Sequence, residues 1–325
     1  MSGLWLVEDG IGEQRAALVC DGRIIKARIE PDDAGPRLGT VMAAVLAEIG
    51  RHPRVTLADG QGEAMLDRVP PGLTLGARLM VEVVRMAMPE GPRRKLPRVT
   101  AAVEGAVARP GPTLIERVEA SGLPTRAVAA HQPDLFEAAG WSEVLDEAMS
   151  GDIAFPGGVL RLSITPAMAL FDVDGDGETE ALAVAAARAV GAAVIRLGIG
   201  GSIGIDFPTL GSKAARHAVA AALDAALADG GPFERTAVNG FGFLQLIRPR
   251  PRPSLPELLL GPGAAARALL RQWEREPPPG PSIRPAPLPV ARWLNVERPD
   301  LVAELARRTG NAAPITDIGR ANNAR

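Results

Sequence analysis

Residues 159–177 read "VLRLSITPAMALFDVDGDG": two short apolar segments, then a loop rich in aspartate and glycine. Short apolar runs bounded by turn residues are typical of β-strands. The alanine-rich stretch at 178–195 predicts a helix, and "SIGIDF" at 202–207 predicts a third strand. Because a crossover helix returns the chain parallel to the strand it left, this order predicts α/β architecture.

The acidic side chains of this region fall into two groups. Asp176, Glu178 and Glu180 stand at the start of the predicted helix, where the helix dipole and water both favour negative charge. Asp172 belongs to a strand that is expected to be buried, and Asp206 lies inside an apolar strand. Buried aspartates without partners are rarely tolerated, so we expect these two side chains to share a counter-charge.

A shared metal ion is the counter-charge that these residue types favour. Neighbouring parallel strands lie about 5 Å apart, so carboxylates of Asp172 and Asp206 on the same face would converge. Mg²⁺ usually takes one or two carboxylates and keeps water and substrate phosphate as its other ligands. We therefore predict one Mg²⁺ ion here, with Mn²⁺ as a substitute. A calcium-binding EF-hand is disfavoured, because Ala183 stands where a bidentate carboxylate is required.

The composition of the chain limits the partners and the cellular compartment that can be expected. The 325 residues include 36 basic and 38 acidic side chains and carry a formal net charge of −2, so a nucleic-acid surface would have to be a local patch. The single cysteine, Cys20, cannot form an internal disulfide or a cysteine-based zinc site, which fits a reducing compartment. The first residues lack the pattern of a signal peptide, and the apolar stretch at 181–195 is interrupted by Arg188. We expect a cytoplasmic protein without a membrane partner.

Three ordered blocks of the chain resemble the ribonuclease E/G family, the bacterial metal-dependent endoribonucleases. The blocks are "FPGGVLRLSITPAMALFDVDGDG" at 155–177, "RLGIGGSIGIDFPTL" at 196–210 and "NGFGFLQLIRPRPRPSL" at 239–255. The first two resemble the family segments that carry the catalytic aspartates. The resemblance implies that Asp172 and Asp206 are catalytic and bind the metal, with Asp174 as a further ligand where the family has asparagine.

The resemblance also implies a mixed α/β and α+β fold. In it an RNase H-like region is interrupted by a small OB-type β-barrel and followed by a DNase I-like α/β subdomain. The predicted divisions are 1–34 for the first RNase H-like part, 35–104 for the barrel, 105–157 for a reduced linker and second RNase H-like part, 158–260 for the catalytic subdomain, and 261–325 for C-terminal helices and a tail. Three short apolar runs within residues 3–30 predict an antiparallel meander, and the proline-rich segment 277–289 predicts a linker or extended segment.

The function implied by the resemblance is Mg²⁺-dependent hydrolysis of phosphodiester bonds in single-stranded ribosomal, transfer or messenger RNA. The products would carry a 5′-phosphate and a 3′-hydroxyl. The densest basic stretches, "RRKLPR" at 93–98 and "RPRPR" at 248–252, flank family blocks. From these stretches we predict RNA contacts by Arg94, Lys95, Arg98, Arg248 and Arg250. The alternative for both stretches is a solvated basic surface.

The chain also departs from the family. The family's Cys-x-x-Cys zinc link has no counterpart in "GPGAAARALL" at 261–270, so we expect no zinc and no zinc-linked dimer, while another oligomer stays open. The family's 5′-end sensing module is reduced to residues 112–132, and the barrel segment 54–66 lacks aromatics that could stack on bases. These losses support a second hypothesis, a catalytically weak or inactive RNA-binding or scaffold member of the same family.

Overall fold

A computed structural model of the chain describes residues 3–90 and 93–318. Residues 319–325, at the end of the predicted tail, lie outside the described residues. The strands are β1 (Leu4–Gly10), β2 (Glu13–Cys20), β3 (Arg23–Pro31), β4 (Val41–Glu48), β5 (Arg54–Leu57), β6 (Glu63–Leu66), β7 (Arg78–Arg85), β8 (Met88–Glu90), β9 (Arg93–Lys95), β10 (Arg98–Ala101), β11 (Thr125–Ala127), β12 (Asp152–Phe155), β13 (Gly158–Ile164), β14 (Ala169–Gly175), β15 (Gly201–Asp206), β16 (Glu234–Arg235), β17 (Phe243–Arg248), β18 (Arg284–Ala286) and β19 (Ile315–Asp317). The helices are α1 (Leu114–Glu119), α2 (Leu135–Ala138), α3 (Trp141–Ser150), α4 (Thr179–Arg196), α5 (Lys213–Leu227), α6 (Leu255–Leu258), α7 (Pro262–Glu274), α8 (Leu288–Arg292) and α9 (Pro299–Thr309), with short 3-10 and π turns at Ala228–Gly230 and Trp293–Glu297.

The segment 159–177 forms the centre of a six-stranded sheet. Its strand order is β12-β13-β14-β15-β17-β16. β14 and β15 run parallel because α4 crosses between them, whereas β13 and β17 are antiparallel to their neighbours. The strand-helix-strand prediction is therefore confirmed. β12, which the sequence pattern does not predict, belongs to this sheet and begins at Asp152, ahead of the division placed at 158.

The two faces of this sheet differ in burial. On one face Phe171, Ile203 and Ile205 are fully buried and share one hydrophobic cluster with residues of α4 and α5. On the opposite face Asp172 and Asp206 are exposed. The expectation that these aspartates are buried is therefore wrong. The reason is that the helices pack on the face that carries the apolar residues, and the aspartates project from the other one.

A glycine allows α4 and α5 to pack closely. A Cβ atom added at Gly191 would lie 2.4 Å from the Cβ atom of Ala226. We expect Gly191→Ala to lower the free energy of unfolding by about 1–3 kcal/mol, because the added methyl group would overlap Ala226. This cost should outweigh the greater helix propensity of alanine, which is worth about 1 kcal/mol over glycine. Urea unfolding measures this change. The control is Gly50→Ala, where an added Cβ meets nothing within 4 Å. An unchanged midpoint for Gly191→Ala would contradict the close packing.

The amino-terminal half contains a four-stranded sheet and a barrel. β1, β2 and β3 form the predicted antiparallel meander, and β11 adds in parallel to β1. Between β3 and β11 the chain forms a closed barrel in the order β10-β6-β5-β4-β7. β6 and β10 pair in parallel, and the barrel has a hydrophobic core of its own that includes Val55, Val81 and Val99.

The C-terminal helices form a further hydrophobic cluster. Residues of α7, α8 and α9 pack together with Ile11, which lies in the turn between β1 and β2. The proline-rich segment 277–289 is more structured than a linker, because it contains β18 and the start of α8. β18 pairs with β19 in a two-stranded sheet. Both strands of such a sheet are edge strands, so the missing N–H of Pro285 is tolerated.

Candidate metal centre

Asp172 and Asp206 lie side by side at the carboxyl ends of β14 and β15. The two residues are register partners in the parallel pair. Adjacent strands lie about 4.8 Å apart, and side chains at paired positions project from the same face of the sheet. The structure therefore brings together the two aspartates that the sequence singles out, on an exposed surface.

The donor set at this surface is of the kind that Mg²⁺ uses. Mg²⁺ usually binds through one or two carboxylates and retains several waters, which two exposed aspartates permit. Within residues 3–90 and 93–318, no group of three or more His, Cys, Asp or Glu side chains could hold a metal ion. Structural zinc sites use four protein ligands and calcium sites use six or more oxygens. Asp172 and Asp206 thus fit an open magnesium site that depends on water and substrate for its remaining ligands.

Asp174 has a partner of its own. Its carboxylate Oδ2 lies 3.1 Å from Nη2 of Arg161, and Arg161 is the register partner of Asp172 on the other side. The side chains of this ion pair are 57% and 59% exposed, so the pair contributes little to stability and can be exchanged for another contact. The role of Asp174 as a further metal ligand stays a prediction.

Two further acidic residues of this region, Glu178 and Glu180, lie at the start of α4. The carboxylate of Glu178 accepts hydrogen bonds from the backbone N–H groups of Glu180 and Ala181, at 3.0 and 2.7 Å. Glu178 is the N-cap residue and Glu180 lies in the first turn. The interpretation of these two residues as helix-start residues is confirmed.

Two phenylalanines next to Asp206 were missed by sequence reasoning. Phe243 is the register partner of Asp206 on β17, and Phe241 lies in the preceding loop with 84% of its surface exposed. Asn239 Oδ1 accepts hydrogen bonds from the backbone N–H groups of both phenylalanines, at 2.9 and 3.0 Å, which holds the loop in shape. An exposed aromatic ring on a held loop can stack on a base. Its position between two glycines in "NGFGF" was the available signal.

Three of the predicted RNA contacts lie on the barrel or next to it, with Arg98 on the barrel strand β10. The side chains of Arg94, Lys95 and Arg98 are exposed. Arg94 donates to the backbone oxygen of Asp33 at 3.2 Å, and Arg98 forms an ion pair with Asp67 at 2.6 Å. Exposed pairs of this kind are worth about 1 kcal/mol or less. A phosphate group could therefore replace these partners at little cost.

Arg248 and Arg250 occupy a different environment, because both are half-buried and have internal partners. Arg248 donates to the backbone oxygens of Ile199 and Gly230, and Arg250 forms an ion pair with the buried Glu257. Burial lowers the pKa of Arg248. Their predicted RNA contact remains a prediction, and neither residue adjoins the paired aspartates in the sheet.

No protein-family model matches this chain, and no curated protein matches it. Among the described residues, no helix combines the length and apolar character needed to cross a membrane. The resemblance to the ribonuclease E/G family therefore rests on the three sequence blocks and on the position of the aspartates within them.

Proposed function

We propose that this chain is a metal-dependent endoribonuclease of the ribonuclease E/G type that hydrolyses single-stranded RNA. The observation that carries the proposal is the register pairing of Asp172 and Asp206 on an exposed sheet face. A closed five-stranded barrel supports an OB-type RNA-binding region. The descriptions of the four-stranded sheet as part of an RNase H-like region and of the six-stranded sheet as DNase I-like belong to the same proposal.

The residues at the sheet edge supply the parts that such a reaction needs. Asp172 and Asp206 would hold Mg²⁺ from one side and leave its outer side open to water and RNA. When bound, Mg²⁺ activates a water for in-line attack on phosphorus and offsets the negative charge that develops. Arg161, opposite Asp172, can donate to a phosphate oxygen, and Phe241 can stack on a neighbouring base and position the strand.

A second candidate function is an RNA-binding or scaffold protein with little catalysis. It is favoured by the reduction of the family's 5′-end sensing module to residues 112–132 and by the lack of aromatic residues in the barrel segment 54–66. Internally labelled single-stranded RNA distinguishes the two functions. Mg²⁺ should support cleavage and a chelator should abolish it if the chain is an enzyme, whereas RNA that is bound but left intact under both conditions would favour the scaffold.

Phe241→Ala should weaken the binding of single-stranded RNA. Loss of one base–aromatic stack removes about 1–3 kcal/mol, which corresponds to roughly a fivefold to hundredfold rise in Kd. Folding should be unaffected because the ring is 84% exposed. Fluorescence anisotropy with a labelled oligonucleotide measures the change. Leu288→Ala, at a side chain that is 61% exposed and lies in the C-terminal helices, is the control. Equal affinities for both variants would exclude a stacking role.

A further inference from the structure

A cleft of about 370 Å³ lies at the other end of β15 from the paired aspartates. Its walls are formed by β1 and β3, by α1, by the end of α4 and by residues 248–252. Arg248 is the register partner of Gly201, and Gly201 precedes Asp206 by five positions along β15. At about 3.3 Å per residue this places the cleft about 17 Å from the aspartates along the strand.

Every charged side chain that lines this cleft is basic, and we therefore name it the basic cleft. Six of them line it, and no carboxylate does: Lys26, Arg28, Arg117, Arg248, Arg250 and Arg252. Arg117 and Arg250 have counter-charges nearby, since they form ion pairs with Glu30 and Glu257. The other four form no ion pair with any described residue.

The four unpaired cations are also incompletely hydrogen-bonded. Arg28 donates to the backbone oxygens of Arg196 and Ile195 at the end of α4, at 3.1 and 3.2 Å. The C-terminal end of α4 is the negative end of the helix dipole, which partly compensates the positive charge of Arg28. The buried Nε atoms of Arg28 and Arg248 nevertheless lack an acceptor within the part of the chain that the structure describes. Buried donors of this kind are costly unless a ligand or water satisfies them.

Lys26 and Arg252 have still fewer partners. Both side chains are half-buried. Neither forms a hydrogen bond or an ion pair with another residue in the ranges 3–90 and 93–318. They lie on different elements, β3 and the segment after β17, yet both line the same cleft. Asp229 and Glu30 attract Lys26 and Arg252 without forming an ion pair with them. Two half-buried cations that converge without an ion-pair partner among the described residues point to an anion.

The pKa directions agree with this geometry. Burial first, and then the charges of Arg252 and Arg248, together lower the pKa of Arg28 to about 9. Burial likewise lowers the pKa of Lys26. The charges of Arg28 and Arg248 lower it as well, whereas the charge of Asp229 raises it. Like charges held close together out of water disfavour the ionised forms, and an anion between them would restore those forms.

The remaining wall of the cleft is apolar. It includes Leu114 and Val118 of α1 and the buried Trp5, whose indole Nε1 has no acceptor among the described residues. A cleft of a few hundred Å³ with an apolar wall and a few convergent polar groups is typical of a site for a small organic ligand. The combination fits a phosphate group attached to a larger molecule.

We propose that the basic cleft binds a phosphate group, carried either by a small phosphorylated molecule or by an RNA chain. Guanidinium groups match phosphate oxygens through paired N–H donors, and lysine adds a point charge. Arg28, Arg248 and Arg252 would supply the first kind of contact, and Lys26 the second. The proposal does not depend on nuclease activity, because the cleft contains neither aspartate of the candidate metal centre.

Thermal unfolding and calorimetric titration with inorganic phosphate and with adenosine monophosphate test the proposal. Chloride at equal ionic strength is the control anion. Phosphate should raise the unfolding midpoint of the wild type, because a ligand that binds only the native state stabilises it. Arg252→Gln and Lys26→Gln should each weaken affinity about tenfold or more, since each removes a charged donor. Arg23→Gln, an exposed arginine on β3, is the matched control and should retain wild-type affinity.

A 5′-hydroxyl single-stranded RNA then distinguishes the two sources of phosphate. If this RNA displaces inorganic phosphate, the cleft binds backbone phosphodiesters; if it does not, the cleft binds phosphomonoesters. Asp206→Asn should keep the phosphate response even if it loses RNA cleavage, which separates the two sites. No response to phosphate beyond that to chloride would overturn the proposal, and so would equal responses in wild type and in both Arg252→Gln and Lys26→Gln.

Discussion

Asp206→Asn and Asp172→Asn should each slow RNA cleavage by on the order of 10³-fold or more. Each substitution removes one of two carboxylates that are register partners on the exposed sheet face. Metal assistance is worth several kcal/mol in the transition state, and each ~1.4 kcal/mol is a factor of ten in rate. Because both carboxylates serve the same ion, the double variant should be about as slow as the slower single variant.

The fold should survive these substitutions. Like charges directly opposite each other on paired strands are destabilising. In chelator, Asp206→Asn should therefore be as stable as the wild type or slightly more stable, and it should lose the stabilisation that Mg²⁺ gives the wild type. Asp146→Asn, at an exposed aspartate of α3, is the matched control for cleavage. Cleavage by Asp206→Asn at the wild-type rate would reject the assignment.

Arg271→Met should lower the free energy of unfolding by about 3–5 kcal/mol. Arg271 on α7 forms a buried ion pair with Glu13 on β2, across 258 positions of the chain. Removing the cation leaves the buried Glu13 carboxylate without its ion-pair partner, with only the weaker attraction of Arg267 and Arg15. Breaking a buried pair in this way costs much more than the net value of the pair. Urea unfolding measures the loss. The double variant Glu13→Gln/Arg271→Met should recover part of it, because no buried charge is then left alone.

The loss in Arg271→Met should also depend on pH. Burial raises the pKa of Glu13, and Arg271 opposes that rise. Without Arg271 the folded-state pKa should rise further above the unfolded value. The neutral carboxyl then contributes stability that is complete below the unfolded pKa and is lost as the pH rises through the folded pKa. The deficit should accordingly be smaller at about pH 4 than at about pH 7.

The matched control for this pair is Arg307→Met. Arg307 is 71% exposed in its ion pair with Glu304, so its loss should change stability far less than the loss of Arg271. A deficit for Arg271→Met as small as that of Arg307→Met would show that the buried pair does not hold the C-terminal helices against the first sheet. An equal deficit at both pH values would show that Glu13 is not the group left uncompensated.

Local patterns were sufficient to predict the central strands of the sheet that carries the candidate metal centre, although not its edge strand β12. Apolar runs and the crossover helix predicted β14, α4 and β15, and the pairing of Asp172 with Asp206 followed from parallel register. Exposure of that face could not be predicted in the same way. Alternation shows which residues share a face, but it does not show whether another layer covers that face.

Contacts between residues that are far apart in the chain could not be predicted from local sequence patterns. The sequence around Glu13 and Arg271 does not indicate that they pair, because only the docking of α7 on β2 brings these two residues together. The basic cleft has the same origin. Lys26 belongs to an ordinary alternating strand, and "RPRPR" at 248–252 resembles an exposed basic patch until β3 and the end of β17 are placed side by side.

Anomalous diffraction from a crystal soaked in Mn²⁺ tests the central claim most directly, since it locates the ion without relying on activity. The account predicts an anomalous peak between the carboxylates of Asp172 and Asp206, within direct coordination distance of an oxygen of each. A peak that contacts neither carboxylate, or no peak there at a Mn²⁺ concentration that supports cleavage, would contradict it.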